Sequence, residues 1–169
     1  SKLKNDPHLH VDLVNEAFQY GQPDLVVWYE NPLLKTVRQL YAGQGFLLKE
    51  NQVRHYLSQY NITAPVVTTT HHHSHAAAGY FTSPYKEAAV LIIDAIGEFD
   101  TTTIWKATQN KLSKKLSIRY PHSLGLWYSA MTQRVGLKPN EEEYILMGMA
   151  AYGDSLRLAP CILDDFFTG

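Results

Sequence analysis

Four of the eight histidines in this chain fall within five positions, at His71, His72, His73 and His75. An aspartate, Asp94, closes the apolar run that follows them. Because His71 and His75 are four residues apart, a helix would place both imidazoles on one face. Two imidazoles and one carboxylate suit Fe(II), Mn(II) or Zn(II) and leave coordination positions for substrate oxygens. The spacing predicts a metal site at His71, His75 and Asp94 without choosing the metal.

A structural interpretation of the cluster competes with metal binding. Without Asp94, capping or surface histidines at a helix start would explain it about as well, because pairs at i and i+4 recur by chance. Thr70 is suited to the N-cap of such a helix. A purification tag is disfavoured, because the run is internal and continues into helix-forming alanines. The other two histidines, His72 and His73, should point to other helix faces and contact a ligand, pack or face solvent.

The segment after the apolar run is a second candidate site. It combines a carboxylate at a strand end, a glycine-containing turn and hydroxyls on the return strand. Backbone N–H groups exposed by such a turn can donate to phosphate oxygens. The predicted nucleotide-binding residues are Asp94, Gly97, Glu98, Thr101 and Thr102. A plain hairpin is the competing interpretation and, on these residues alone, the favoured one.

Charge and cysteine content limit the functional classes. Fifteen Lys and Arg residues against sixteen Asp and Glu give a net charge of −1 without a basic stripe, so nucleic-acid capture is not indicated. The single cysteine, Cys161, excludes a disulfide within this chain and suits a reducing compartment. No apolar run approaches the ~20 residues that span a bilayer. The expected location is cytoplasmic, with no membrane partner.

The elements that must position these residues alternate between helix and strand. Helical spacing of apolar residues predicts helices from an N-cap at Asp6 to near Gly21, over 33–42, over about 51–60, and at the histidines. Apolar and β-branched runs predict strands at 24–30 and 65–69, a hairpin of 88–94 with 101–105, and a third strand at 116–120. Two further helices are predicted from Ser123, and from a capping box of Asn140 and Glu143 through about Ala151.

This alternation indicates an α/β fold with mixed sheets flanked by helices. After Ser83 and Pro84 the sequence changes from a helical pattern to strand-like runs, so we expect a lobe boundary within residues 83–87. The predicted division is a first lobe at 1–84, which includes the histidine helix, and a second at 85–169, which begins with the hairpin.

Taken in order, the motifs resemble those of the O-carbamoyltransferase family, which includes nodulation-factor, cephem and aminoglycoside carbamoyltransferases. The resemblance covers nearly the whole chain, and several motifs agree at workable spacing. The residues that carry it are Phe18, 24–35, 71–77, Ser83–Pro84, 94–98, 121–125 and 143–150.

The resemblance implies part of an actin- or hexokinase-like two-lobed fold, related to the tRNA threonylcarbamoyl transfer proteins. It also implies that His71, His75 and Asp94 bind a metal, usually iron, that engages nucleotide phosphate. The donor implied is carbamoyl-adenylate, made from ATP and carbamoyl phosphate by a separate C-terminal domain. The implied acceptor is a small-molecule hydroxyl.

Departures from the family pattern shape the expected activity. Family members are much longer, so we expect a fragment whose parent protein is a carbamoyltransferase and which is inactive alone. Ala95 stands where the family usually has glycine, and Ile145 stands where lysine is common. Both changes put nucleotide affinity in question. The alternatives are a non-catalytic metal- or nucleotide-binding module and a threonylcarbamoyl-type tRNA-modification relative.

Overall fold

The computed structural model describes residues 8–43 and 52–167 of the chain. Helices and strands alternate in its first part, and helices make up its last part. In chain order the elements are α1 (Val11–Phe18), β1 (Val26–Trp28), α2 (Pro32–Tyr41), α3 (Val53–Ser58), β2 (Val66–Thr68), α4 (His71–Phe81), β3 (Glu87–Gly97), β4 (Asp100–Thr108), β5 (Lys111–Arg119), α5 (Leu124–Arg134), α6 (Glu143–Ala150) and α7 (Ser155–Phe166).

The strands form one parallel and one antiparallel sheet, which confirms the predicted mixed α/β class. β1 and β2 pair in parallel, with Val26 opposite Val66. β3, β4 and β5 follow one another in an antiparallel sheet. β2 leads directly into α4, so the short parallel sheet fixes the position at which the histidine helix begins.

The hairpin of β3 and β4 is tighter than its sequence predicts. The strands extend into the predicted connection until Gly97 pairs with Asp100, which leaves only Glu98 and Phe99 in the turn. The register shifts between Ile93 and Gly97, so β3 is irregular immediately after its regular pairing ends. Asp94 lies at the start of this irregular stretch.

Helix α4 packs on one face of the antiparallel sheet. His72, Ala76 and Tyr80 are its buried residues, and their spacing of four places them on one side of the helix. On β4 the buried residues alternate, as expected for a strand with one covered face; they are Thr101, Thr103, Trp105 and Ala107. This interface holds α4 at a fixed height along the hairpin.

Helices α1 and α3 are shorter than predicted, whereas α2 has the predicted length of ten residues. α1 begins at Val11, and the predicted N-cap at Asp6 lies outside the described residues. In α2, the Asn31 side chain accepts hydrogen bonds from the backbone N–H groups of Leu33 and Leu34, which supports the first turn. Proline at the first position of the same helix, Pro32, suits a helix start.

The chain divides into two compact units, Ser1–Leu126 and Trp127–Gly169. The lobe boundary predicted within residues 83–87 lies inside the first unit, and the division into lobes at 1–84 and 85–169 stays a prediction. In the second unit, Trp127 of α5 contacts the rings of Phe166 and Phe167 at the end of α7.

One predicted helix start in the second unit is wrong. α6 begins at Glu143 with Glu142 at the N-cap, not at Asn140. Asn140 has φ +66° and lies in the turn that precedes the helix. Half of the predicted capping box survives, because Glu143 Oε1 accepts a hydrogen bond from the Asn140 backbone N–H.

Helix α7 was not predicted from the sequence. Asp154 caps it by accepting a hydrogen bond from the Leu156 N–H at 3.0 Å. Pro160 lies inside the helix, where it removes one backbone donor and hides the helical pattern from sequence reasoning. Across residues 8–43 and 52–167, no helix is long and apolar enough to cross a membrane.

Candidate metal centre

The structure brings His71, His75 and Asp94 together. The two histidines lie on one face of α4, as their spacing predicts, and their Nε2 atoms are 3.0 Å apart. Asp94 Oδ2 lies 2.8 Å from Nε2 of His71 and 3.8 Å from Nε2 of His75. The three side chains form a group whose ligand atoms all lie within 4.8 Å of one another.

The spacing of these three atoms fits a single metal ion. Metal–nitrogen and metal–oxygen bonds of this kind are about 2.0–2.2 Å long, and a circle through the three atoms has a radius of about 1.9 Å. A point just above their plane is therefore at bonding distance from all three. The donor set of two imidazoles and a carboxylate matches the chemistry of Fe(II), Mn(II) or Zn(II).

The number of hydrogens available to these three side chains also favours a cation between them. Nε2 of His71 carries at most one hydrogen, which can reach either Asp94 or His75 but cannot satisfy both. The hydrogen bond to Asp94 raises the pKa of His71 against the opposing effect of burial. The same bond lowers the pKa of Asp94 to about 2, with help from the Ala95 backbone N–H at 2.7 Å from Oδ1. Three electron-pair donors thus converge on a region that favours a positive charge.

Glu98, predicted to bind nucleotide, holds the start of α4. Its Oε1 accepts hydrogen bonds from the backbone N–H of Asn31 at 2.7 Å and of His71 at 3.1 Å. Its Oε2 lies 3.1 Å from the same His71 nitrogen. Thr70 occupies the N-cap position, as predicted, but its side chain makes no capping hydrogen bond. The carboxylate from the hairpin turn supplies that cap in its place.

Gly97 allows the hairpin to approach α4. A Cβ atom at Gly97 would lie 2.7 Å from Cδ2 of both His71 and His72, closer than real Cβ contacts allow. Gly125, at the start of α5, makes a similar approach to β3, where a Cβ atom would lie 2.6 Å from the Ala95 backbone. The predicted role of Gly97 in phosphate binding stays a prediction; its packing role is visible.

The remaining histidines of the cluster pack, one of the alternatives that the sequence left open. His72 is buried, and its Nδ1 lies 2.8 Å from Oγ1 of Thr103, which also accepts a hydrogen bond from Nε1 of Trp105. Burial lowers the pKa of His72, which favours its neutral ring. His73 bonds Oγ1 of Thr69 through Nδ1 at 2.8 Å. Neither residue joins the three-atom group.

The two threonines predicted to contact phosphate lie on opposite faces of β4. Thr101 is fully buried, and its hydroxyl donates to the carbonyl oxygens of His122 and Ile118. Thr102 pairs with Ile93 across the hairpin and is partly exposed on the face away from α4. Their predicted contact with phosphate is untested by this arrangement.

A group beside His71 was assigned no role from the sequence. The ring of Tyr29 meets the His71 ring edge-on, with centroids 5.7 Å apart. Next to it, Glu30 is buried and bonds Nζ of Lys35 at 2.5 Å. Burial and the neighbouring Glu30 raise the pKa of Tyr29 to about 12, so its hydroxyl keeps its proton. The motif at residues 24–35 contained these residues but gave no signal that they border the histidines.

The fold and the three-atom group define an α/β unit with a candidate metal site, and comparison with known proteins gives its family. A family model described as carbamoyltransferase N-terminus matches residues 24–168. The chain therefore belongs to this family, which confirms the resemblance in its motifs.

One relative is "Uncharacterized protein sll1178" of Synechocystis sp., which is 48% identical over 101 residues. The aligned region covers 60% of this chain and 16% of the relative. The activity and partners of the full-length protein are therefore matters for proposal.

Proposed function

We propose that the full-length protein containing this chain transfers a carbamoyl group from carbamoyl-adenylate to a hydroxyl of a sugar-containing or secondary metabolite. Two observations support the proposal. Membership of the carbamoyltransferase N-terminus family supports the transferase class. The convergence of His71, His75 and Asp94 supports assistance by a divalent metal, with iron the first candidate by resemblance.

In this proposal each residue of the group has a defined task. Nε2 of His71 and of His75 and Oδ2 of Asp94 hold the ion, with Ala95 N–H fixing the other oxygen of Asp94. When bound, a divalent cation supplies positive charge that stabilises the phosphate oxygens of the leaving group. Three protein ligands leave positions open for oxygens of the substrate.

The transfer itself is an acyl substitution. The acceptor oxygen forms a bond to the carbamoyl carbon, the bond from that carbon to the phosphate oxygen breaks, and AMP leaves. The proton of the acceptor hydroxyl passes to solvent, so the products are the carbamate ester, AMP and one proton. Holding donor and acceptor in one orientation supplies much of the rate enhancement in reactions of this type. We assign that task to an actin-like arrangement of two lobes, and synthesis of the adenylate to a C-terminal domain of the same protein.

Metal analysis of the full-length protein tests the site. Wild-type protein should bind about one equivalent of Fe(II) or Mn(II), and His75→Ala should reduce bound metal to background because the variant loses one of three ligands. His55→Ala is the matched control, since His55 is an exposed histidine on α3, outside the three-residue group. Equal metal content in wild type and His75→Ala would contradict the site assignment.

A transfer assay tests the reaction. Label from carbamoyl phosphate should reach an acceptor only when ATP and metal are present, and a panel of hydroxylated metabolites serves as acceptors. Binding of ATP and metal without turnover on any acceptor would favour the non-catalytic binding module instead. Because Ala95 stands where the family usually has glycine, ATP binding should be measured separately from turnover.

A further inference from the structure

We propose that Glu98 is a positioning residue that fixes the backbone of His71 for metal binding, in place of the nucleotide contact predicted from the sequence. The inference rests on the proposed function, because the site that it serves is the proposed metal centre. It concerns a residue that is not itself in the three-atom group.

The hydrogen bonds of Glu98 carry the argument. Both oxygens lie 3.1 Å from the His71 backbone nitrogen, and Oε1 also accepts from Asn31 N–H at 2.7 Å. The residue is 8% exposed, so these contacts form in a largely dry environment, where such bonds are stronger. The first N–H groups of a helix have no partner within the helix, and a carboxylate there also interacts favourably with the helix dipole.

The backbone of the turn supports the same role. Glu98 has φ +47°, a left-handed conformation that side chains other than glycine and asparagine adopt at a cost. The neighbouring Gly97 lies against the His71 and His72 rings, so the turn is pressed onto the start of α4. A strained residue held in place by its surroundings is typical of functional sites.

The position of Glu98 along the hairpin gives its effect on the metal site. Asp94 and Glu98 belong to the same short segment of β3 and its turn. One contributes a ligand atom, and the other holds the backbone of a second ligand, His71. The hairpin therefore holds His71 through two contacts, one from Asp94 to its ring and one from Glu98 to its backbone N–H. Loss of the Glu98 contact should leave all three ligands in the chain but weaken their alignment.

The same arrangement limits where a phosphate can bind. The N-terminus of a helix commonly attracts anions. At α4 that place is taken by the buried carboxylate of Glu98, which would repel a second anion. A nucleotide phosphate should therefore engage the open face of the three-atom group and not the first N–H groups of α4.

Substitutions at Glu98 in the full-length protein test the inference through two readouts. Hydrogen exchange followed by mass spectrometry reports on the first turn of α4, and Mn(II) titration reports on the metal site. Glu98→Ala should speed exchange in the first turn relative to the rest of α4 and weaken Mn(II) binding about 10- to 100-fold. Glu98→Gln keeps one acceptor oxygen and should show a smaller change in both.

Asp100→Asn is the matched control. Asp100 is a carboxylate two residues further along the same hairpin, and it bonds Lys114, Ser117 and Arg119 instead of α4. Its substitution should leave the exchange of the first turn and the Mn(II) affinity unchanged. If Glu98→Ala does not fold, the comparison of Glu98→Gln with Asp100→Asn decides the same question.

The outcomes separate this inference from the proposed function. Unchanged exchange and unchanged Mn(II) affinity in the Glu98 variants would overturn the positioning role. Weaker ATP binding with both readouts unchanged would show that Glu98 contacts nucleotide, which also overturns it. If the wild type binds no Mn(II) or Fe(II), the proposed metal site is wrong. Faster exchange in Glu98→Ala would still show that Glu98 stabilises the first turn of α4.

Discussion

Asp94 and Asp100 lie on the two strands of one hairpin, yet their surroundings differ in kind. Oδ2 of Asp94 faces two imidazole nitrogens at 2.8 and 3.8 Å, and 32% of its side chain is exposed. Asp100 is 13% exposed, and Lys114 and Arg119 pair with its two oxygens. The partners of Asp100 are permanent cations or donors, whereas the nitrogen partners of Asp94 can exchange a proton for a metal ion.

The pKa values show that charge alone does not separate the two carboxylates. The pKa of Asp94 is lowered mainly by its hydrogen bond to His71. Burial tends to raise the pKa of Asp100, but hydrogen bonds from Lys114 and Ser117 outweigh it, so that pKa is lowered as well. Both groups are therefore ionised at neutral pH. The difference is that the imidazole partners of Asp94 can lose a proton and bind a metal ion, whereas Lys114 and Arg119 stay protonated.

The largest expected effect separates the two aspartates directly. Asp94→Asn should lower the metal affinity of the full-length protein by at least about 100-fold, because it removes a charged ligand. Asp100→Asn should leave metal content as in wild type. Elemental analysis after dialysis against Fe(II) or Mn(II) measures both. Loss of metal in the two variants alike would show that the contrast between them is wrong.

Gly97 lies between the two aspartates and tests how tightly the hairpin is held. Gly97→Ala should destabilise the region by about 1–3 kcal/mol, because its Cβ would overlap the His71 and His72 rings. The shift of those rings should also weaken metal binding. Hydrogen exchange of α4 and β3 amides measures the local free energy of opening.

Gly79→Ala is the control for Gly97→Ala. A Cβ at Gly79, on the exposed side of α4, meets nothing within 4 Å. The substitution should stabilise α4 by about 0.5–1 kcal/mol, because alanine favours helix over glycine. If both variants behave alike, close packing at Gly97 is not what positions the histidines.

The proximity of His71, His75 and Asp94 could be predicted from the sequence because it depends on two regular patterns. One is a spacing of four residues on a helix, and the other is a carboxylate at the end of an apolar strand; both are local signals. The hydrogen bonds of Glu98 had no such signal in the sequence. Their donors are the backbone N–H groups of Asn31 and His71, which reach one carboxylate only after the parallel sheet and the hairpin have formed.

The errors in the second unit have local causes. A capping box was predicted at Asn140, but the positive φ of that residue places it in a turn. Helix α7 was missed because Pro160 lies inside it, although Asp154 is a recognisable N-cap residue. Propensity rules assume common conformations and positions, whereas Asn140 has a positive φ and Pro160 lies inside a helix.

The pH dependence of stability should show how much the charge of Asp100 stabilises its strands. A carboxylate with a lowered folded pKa adds stability above its unfolded pKa of about 3.9, and this is lost as the pH falls through the folded value. At pH 7, Asp100→Asn should therefore lower the local stability of β4 and β5 by about 1 kcal/mol. As the pH falls below the lowered folded pKa of Asp100, the variant and wild type should converge. A constant difference across that range would mean that Asp100 acts through packing and not through charge.

The smallest effect is expected at Arg119, and it shows why the two aspartates differ. Arg119 is 70% exposed and lies 3.3 Å from Asp100, which keeps Lys114 and Ser117 when the arginine is replaced. Arg119→Gln should therefore change the local stability of β4 and β5 by less than about 0.5 kcal/mol, as measured by hydrogen exchange. The cluster around Asp100 tolerates the loss of one partner because several partners share its charge. The proposed metal site at Asp94 should not tolerate such a loss, because each of its three ligands would contribute a bond to the ion. A large effect at Arg119 would remove that distinction.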